Sequence, residues 1–250
     1  MIQDMAPTFH FQELTSTNTW LAACMESQNH AKTPPLPEGS LVWCDYQTAG
    51  RGRQRNTWVS EKGKNLLMSI LLHPQLAVEA QFRITEWFSL AVADFLEKHA
   101  GLSVVRIKWP NDIYIGTKKI AGILIEHHWS GAEIAYSILG IGLNVRQTLF
   151  PETLPNPTSV LLEKGNDLTI EDCALGIRDC LLQRKRQEAA NLHADYLQRL
   201  YRKQETAAYQ DTTTGECFQG MITGVSEKGL LQVRCGEALR EFELNSIAYR

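Results

Sequence analysis

Lys118–Val145 reads KKIAGILIEHHWSGAEIAYSILGIGLNV. Two strand-like runs, Ile120–Trp129 and Glu133–Val145, flank the turn pair Ser130-Gly131. Such a pattern predicts an antiparallel hairpin. Upstream, Val104–Trp109 is another strand-like run, and Gly116-Thr117 supplies the next turn. The centre of the chain is therefore expected to be a series of antiparallel hairpins. Within it Gly140 and Gly142 share a parity and leave one strand face bare. Glycine weakens a strand, so the pair needs a cause: close approach of a ligand to the backbone, or tight packing against a helix. Lys119 opens an apolar strand, where its side chain can project into a pocket.

Further out, Phe9–Leu14, Leu41–Tyr46 and Leu66–Leu72 read as strands. Thr15-Ser16-Thr17-Asn18 offers N-cap residues for a helix carrying Trp20, Leu21 and Met25. Phe82, Trp87, Leu90, Ala91, Phe95 and Leu96 recur at helical spacing, which predicts a helix over Val78–His99 with a buried face. Thr33–Gly39 and Pro151–Pro157 are proline-containing loops, and Thr169–Tyr201 is expected to be one long helical region. Beyond Thr206 the texture changes to short β segments, Cys217–Val225, Leu230–Cys235 and Leu239–Leu244, as in a small β-barrel. The expected division is 1–203 and 204–250. The expected class is α+β: a mixed, largely antiparallel sheet with helices, plus the small barrel.

The 250-residue chain has 44% hydrophobic and 21% charged residues and a formal net charge of -3. That balance suits an ordinary globular protein and disfavours one built mainly to hold nucleic acid. The six cysteines are scattered without a C-x-x-C pair, so zinc is not expected. No leader pattern opens the chain, and no apolar run approaches the ~20 residues of a membrane span. The expectation is a cytoplasmic protein with reduced thiols and no membrane partner.

Two motifs carry chemistry. Gly50-Arg51-Gly52-Arg53-Gln54-Arg55-Asn56-Thr57-Trp58 packs three arginines, two glycines and a tryptophan between two strands. Glycine lets backbone wrap closely round a ligand, guanidinium groups hold carboxylate or phosphate, and indole offers a flat face to a purine. The alternatives are a solvated basic turn and a patch that binds nucleic acid nonspecifically. Lys108-Trp109-Pro110-Asn111-Asp112 interrupts a strand with proline and presents an amide beside a carboxylate. That suits a nucleotide, a metal or an incoming amine. It equally suits an Asn-Asp turn satisfying its own backbone.

Weaker signals have structural readings. His127-His128 on a strand should place one ring in the core and one outside. Cys173 and Cys180 share a helix face as small buried hydrophobes. Arg184-Lys185-Arg186 reads as a solvated helix face.

Five segments, STN at Ser16–Asn18, DYQTAGRGRQRNTW at Asp45–Trp58, KWPND at Lys108–Asp112, KKIAGILIE at Lys118–Glu126 and GIGLNV at Gly140–Val145, together resemble the biotin protein ligases. They stand in that family's order, and the small C-terminal β domain, SH3-like in the family, follows as it does there. The resemblance implies that biotin and ATP form biotinyl-5′-AMP, whose biotin then passes to a lysine of a carrier protein of a biotin-dependent carboxylase. It implies that Lys119, Arg51, Arg53 and Asp112 are catalytic. Ser16, Thr17, Asn18 and Gln47 would read biotin's ureido ring, with Gly50, Gly52, Gly122, Gly140 and Gly142 lining its pocket beside Arg51, Arg53 and Lys119. Trp58, Asn111, Asp112 and Asn144 would serve the nucleotide with the same three cations. Magnesium would ride on the ATP phosphates, with Asp112 as a protein contact.

There is one departure from the family pattern. The family often has Arg at the position of Asn56 and Gly or Asn at that of Arg55, so Arg55 has an open role here. The motifs begin already at Ser16, which leaves no room for the N-terminal helix-turn-helix of larger members, so no specific DNA partner is expected. A homodimer is neither implied nor excluded. A lipoate or octanoate ligase or transferase, and a noncatalytic biotin-nucleotide sensor, are the rival readings. The tryptophan of the arginine loop and KWPND favour biotin, and the retained phosphate-side charges favour an enzyme.

Overall fold

The central hairpin forms where the sequence predicts it. Strands β6 (Lys118–Ser130) and β7 (Glu133–Leu143) pair antiparallel, with Gly131 turning between them at a φ of 63°. The computed structural model describes residues 6–30, 36–53, 56–165 and 168–250. Arg55, Gln54, Pro34 and Pro35, on which sequence expectations fall, lie outside the described residues.

Strands β1 (Thr8–Leu14), β2 (Leu41–Gln47), β3 (Leu66–Leu72), β4 (Val105–Lys108) and β5 (Asp112–Ile115) complete a seven-stranded sheet ordered β1-β2-β3-β7-β6-β5-β4. All its pairs are antiparallel except β1 with β2, which is parallel. The parallel pair is possible because α1 (Thr17–His30) provides the crossover between them. β5 separates the KWPND turn from the Gly116 turn. The run read as Val104–Trp109 therefore belongs to a three-stranded meander rather than pairing directly with β6.

Alternation along the strands assigns the two faces. On β6 and β7, Ile123 pairs with Ile141 on the face that carries the main core, and Gly122 pairs with Gly142 on the other. Helix α2 (Phe82–Lys98) covers the core face, with Phe88, Leu90, Ala91 and Leu96 fully buried. A short 3₁₀ turn, Val78–Ala80, precedes it, so the predicted helix starts later than its apolar spacing suggests. The opposite face receives α1, whose Leu21 and Met25 pack on Val42, Leu71 and Ile138. The side chains of Thr17 and Asn18, in the first turn of α1, are buried.

Downstream, α3 (Val160–Lys164) is capped by Ser159, whose hydroxyl accepts from Leu162 N, and ends at Gly165 in the left-handed region. The helical region expected over Thr169–Tyr201 consists of two helices, α4 (Ile170–Arg184) and α5 (Ala189–Gln198). An ion-pair cluster lies at the break between them. Arg184 clasps Asp94 of α2 through Nε and Nη2 at 2.7 and 2.8 Å and also binds Asp195 of α5. Arg199 donates to the same Asp94 at 3.1 Å. The expected solvated face is thus corrected for Arg184, which is largely buried, and for Lys185, which pairs with Glu38; only Arg186 is exposed. Cys173 and Cys180 are buried as expected.

The remaining strands, β8 (Thr206–Asp211), β9 (Cys217–Val225), β10 (Leu231–Cys235), β11 (Ala238–Phe242) and β12 (Ile247–Tyr249), form a five-stranded antiparallel sheet ordered β11-β10-β9-β8-β12. Trp109 Nε1 donates to the Gly229 carbonyl at 3.0 Å and ties this sheet to the KWPND turn. Among the described residues no helix is long and apolar enough to cross a membrane.

Candidate active site

The bare face of β6 and β7 is the floor of a cavity of about 960 Å³. Its glycines admit protein side chains. A Cβ on Gly142 would lie 2.2 Å from the Trp58 indole, one on Gly122 would lie 2.9 Å from it, and one on Gly140 would lie 2.3 Å from Asn18 Oδ1. The space expected to receive a ligand is therefore filled in part by Trp58 of the arginine loop, over Gly142 and Gly122, and by Asn18 of α1, so that close packing of a helix residue accounts for Gly140.

One end of the cavity is neutral and polar. Gln47 Oε1 accepts from the backbone N–H of Thr17 at 2.8 Å and faces its hydroxyl at 3.2 Å. Ser69 Oγ, fully buried on β3, lies 2.7 Å from Thr17 Oγ1 and 2.5 Å from Asn18 Oδ1. Asn18 Nδ2 donates to Glu126 Oε2 at 2.7 Å. Ser16 lines the same end and is buried.

The other end is charged. Lys119 Nζ lies 2.8 Å from Asp112 Oδ2 and 5.8 Å from the centre of the Trp58 ring. The lysine backbone is fixed on both sides, since its N–H donates to Asn156 O and its carbonyl accepts from Thr158 N. The Pro151–Pro157 loop is thereby stitched to β6, and Leu154, Pro155 and Pro157 reach the cavity wall. Arg53 Nη2 donates to Asn245 Oδ1 at 2.7 Å, and its Nη1 reaches Asn111 Oδ1 at 3.4 Å. Burial pulls the Arg53 guanidinium below its usual value, opposed by the nearby Asp112 carboxylate. Arg51 Nη2 donates to Glu126 Oε2 at 2.9 Å. The loop is closed by Gly52 N–H to Asn56 O and Trp58 N–H to Gly50 O.

The structure brings Ser16, Thr17, Asn18, Gln47, Arg51, Gly52, Arg53 and Trp58 to one cavity with Asn111, Asp112, Lys119, Gly122, Gly140, Gly142 and Asn144. Gly50 is the exception. It lines the neighbouring cleft on the far side of the arginine loop. Asn144 donates to Thr158 O at 2.9 Å, while its Oδ1, like Trp58 Nε1, is buried without a hydrogen-bond partner among the described residues. Asn111 Nδ2 donates to Ile123 O, so part of this amide serves the backbone, as in the turn reading of the motif.

Several site residues escaped the sequence reading. Lys108 lines the cavity 4.5 Å from the Tyr249 ring and 3.4 Å from Tyr114 Oη. Burial lowers its ammonium below the usual lysine value, and Lys119 and Arg202 add to this against Asp112. Asn245, Ile247 and Tyr249 come from the small sheet and form one wall. Only the lysine's place inside KWPND hinted at a role. His127 and His128 are both half-buried, one on Ser137 Oγ and one stacked on Tyr136, so neither is a core or a fully exposed ring. Among the described residues no cluster of three metal-ligating side chains occurs.

Residues 10–144 match the model of the Biotin/lipoate A/B protein ligase family. The chain is 31% identical over 226 residues to the bifunctional ligase/repressor BirA of Bacillus subtilis, covering 88% of this chain and 69% of that protein. It is 35% identical over 145 residues to the biotin–[acetyl-CoA-carboxylase] ligase of Paracoccus denitrificans, covering 56% and 60%. Against BirA of Escherichia coli the match is 32% and spans only 40% of that relative's length. The fold superposes on the biotin protein ligase of Aquifex aeolicus in complex with biotin and ATP with a TM-score of 0.76 at 24% identity, covering 98% of each chain. The chain belongs to the Biotin/lipoate A/B protein ligase family, and within it to the biotin protein ligases.

Proposed function

We propose that this chain activates biotin with ATP and transfers it to a lysine of a biotin carrier protein. The observation that carries the reading is the single cavity with a neutral amide-rich end and a cationic end. Its size fits a small-molecule site, in which a few placed polar groups fix orientation. Gln47, Thr17 and Asn18 offer donors and acceptors to a cyclic urea, and the fully buried Ser69 holds Thr17 and Asn18 in place. A dithiolane ring, as in lipoate, has no N–H or C=O to use them and would leave them unpaired, which disfavours that substrate.

In the first step a carboxylate oxygen of biotin attacks the α-phosphorus of ATP, a P–O bond forms, and the bond to pyrophosphate breaks. Two anions must meet. Lys119, Arg51 and Arg53 neutralise them in a site partly withdrawn from water, where fixed charges act strongly. Lys119 stands nearest the new mixed anhydride, and Lys108 adds a further cation on the phosphate side. Trp58 takes the adenine, and the unpartnered Asn144 Oδ1 accepts from its amine. In the second step a carrier lysine amine attacks the acyl carbon, AMP leaves, and the amide forms with loss of a proton. Asp112, released from Lys119 by the anionic ligand, orients that amine. The Gly50–Trp58 loop keeps water from the anhydride.

Magnesium fits as a companion of ATP, not as a resident ion. Asp112 is the carboxylate within the cavity, and magnesium binds through one or two carboxylates plus substrate phosphates. It would supply charge neutralisation to the leaving pyrophosphate. A cytoplasmic location belongs to the same proposal; the six cysteines stand as free thiols, as a reducing compartment would keep them.

Incubation with ATP, magnesium and either biotin or lipoate, read by mass spectrometry, tests the reading. Biotinyl-AMP is expected and lipoyl-AMP is not. Lipoyl-AMP alone would replace the substrate, and neither adenylate would replace the enzyme with a sensor.

A further inference from the structure

Glu126 joins the two ends of the site. Asn18 Nδ2 and Arg51 Nη2 donate to the same oxygen, Glu126 Oε2, at 2.7 and 2.9 Å. Asn18 belongs to the first turn of α1, Arg51 to the glycine-arginine loop, and Glu126 to β6, so three separate elements meet at one carboxylate. The chain of contacts runs on without a gap: Gln47 to Thr17, Thr17 to Ser69, Ser69 to Asn18, Asn18 to Glu126, Glu126 to Arg51.

The energetics make the shared oxygen matter. The Arg51 and Glu126 side chains are 46% and 33% exposed, and an ion pair so open to water holds little by itself. Asn18, in contrast, is 3% exposed and fixed through its Oδ1 by the fully buried Ser69. Glu126 is anchored through its backbone in the β6–β7 ladder opposite Ile138. The buried amide therefore sets the carboxylate's position, and the carboxylate sets the arginine's. If Asn18 rotates to meet a ligand, the acceptor presented to Arg51 changes with it.

We propose that Glu126 is a positioning residue that couples the amide-rich end of the cavity to the arginine loop, so that occupancy at Asn18 is felt at Arg51. This rests on the assignment of Asn18 to biotin and Arg51 to the phosphate. Glu126 touches neither substrate. Its effect on the reaction passes through these two side chains.

Two variants of the full chain separate the links. Glu126→Gln keeps an acceptor for Asn18 and removes the ionic partner of Arg51, whereas Glu126→Ala removes both. For Glu126→Gln, biotin affinity by calorimetry should stay within about twofold while the KM for ATP rises about fivefold, the size of an ordinary contact coupling. For Glu126→Ala both should worsen. In the ligand-free protein, amide exchange at 50–53 should be faster in both variants. An Asn18→Ala, Arg51→Ala cycle on adenylate formation should give a double variant at least about fivefold more active than the product of the single effects predicts. That excess should vanish in a Glu126→Ala background. A multiplicative cycle in the starting protein overturns the proposal, as does a Glu126→Gln variant in which both affinities and the melting temperature decline together. If the starting protein forms no biotinyl-AMP, the functional reading fails instead. Ligand-free exchange at 50–53 then decides the coupling alone, and unchanged exchange in both variants overturns it.

Discussion

Trp58 occupies the volume that a side chain on Gly142 would need: a Cβ at Gly142 would stand 2.2 Å from the indole Cε2. Gly142→Ala should displace the ring while leaving the strand intact, since alanine suits a strand interior better than glycine. Loss of one base stack is worth about 1–3 kcal/mol, so nucleotide affinity should fall about five- to 150-fold. Gly140→Ala, which presses on Asn18 instead, should weaken biotin more than ATP. Calorimetric titration of each variant with each ligand checks the crossover; equal losses for both ligands would dissolve the division of the cavity.

Lys119→Ala removes a cation that lies 2.8 Å from Asp112. A charge-assisted contact at the reacting centre is worth about 1.5–3 kcal/mol, which is roughly ten- to hundredfold in adenylation rate. The pair is about one-third exposed, so the melting temperature should hardly move. Stopped assays of biotinyl-AMP formation beside a thermal melt measure both. Near-normal adenylation would remove Lys119 from the mechanism.

Asp94 is 4% exposed and receives both Arg184 and Arg199. Asp94→Ala removes the carboxylate that Arg184 and Arg199 share where α2, α4 and α5 meet, leaving them only Asp195 and Glu97, and breaking such a buried pair costs about 3 kcal/mol. For a chain of this size that is a drop of roughly 6–12 °C in melting temperature. Activity of the folded fraction, measured well below the melt, should survive because the cluster lies outside the cavity lining.

The His127 ring carries a pH signature. Burial lowers its pKa from the ordinary 6.5, and the neighbouring His128 adds to the effect. The unfolded chain therefore takes up this proton before the folded one does. Stability should fall as the pH drops below about 6.5 and level off once the folded ring also protonates. His127→Asn should shallow the acid slope of the melting temperature in that window. An unchanged slope would mean that His127 is solvated in the folded state.

Much of this was readable from residues alone because it is local. Gly131, the apolar alternation of β6 and β7, and the α2 stripe each declare themselves within a dozen positions. The five motif segments also converge on one cavity. What could not be read depends on distance along the chain. Nothing near Arg184 says that Asp94 and Asp195 will meet it there, because both partners arrive from other elements. The parity of Glu126 on its strand is legible, but its meeting with Asn18, 108 positions away, is a product of the sheet order. Lys108 looks like an ordinary strand lysine until Tyr249 is folded beside it. Arg55 lies outside the described residues, so its departure from the family pattern keeps the open role it had in the sequence.

The small sheet does not keep a core of its own. Tyr209, Ile222, Leu231 and Phe242 join Phe82, Trp109 and Tyr196 in one continuous apolar cluster, and Trp109 reaches across to Gly229. A core shared in this way predicts that residues 1–203 and 204–250 unfold together, so that a substitution in either part lowers the stability of both.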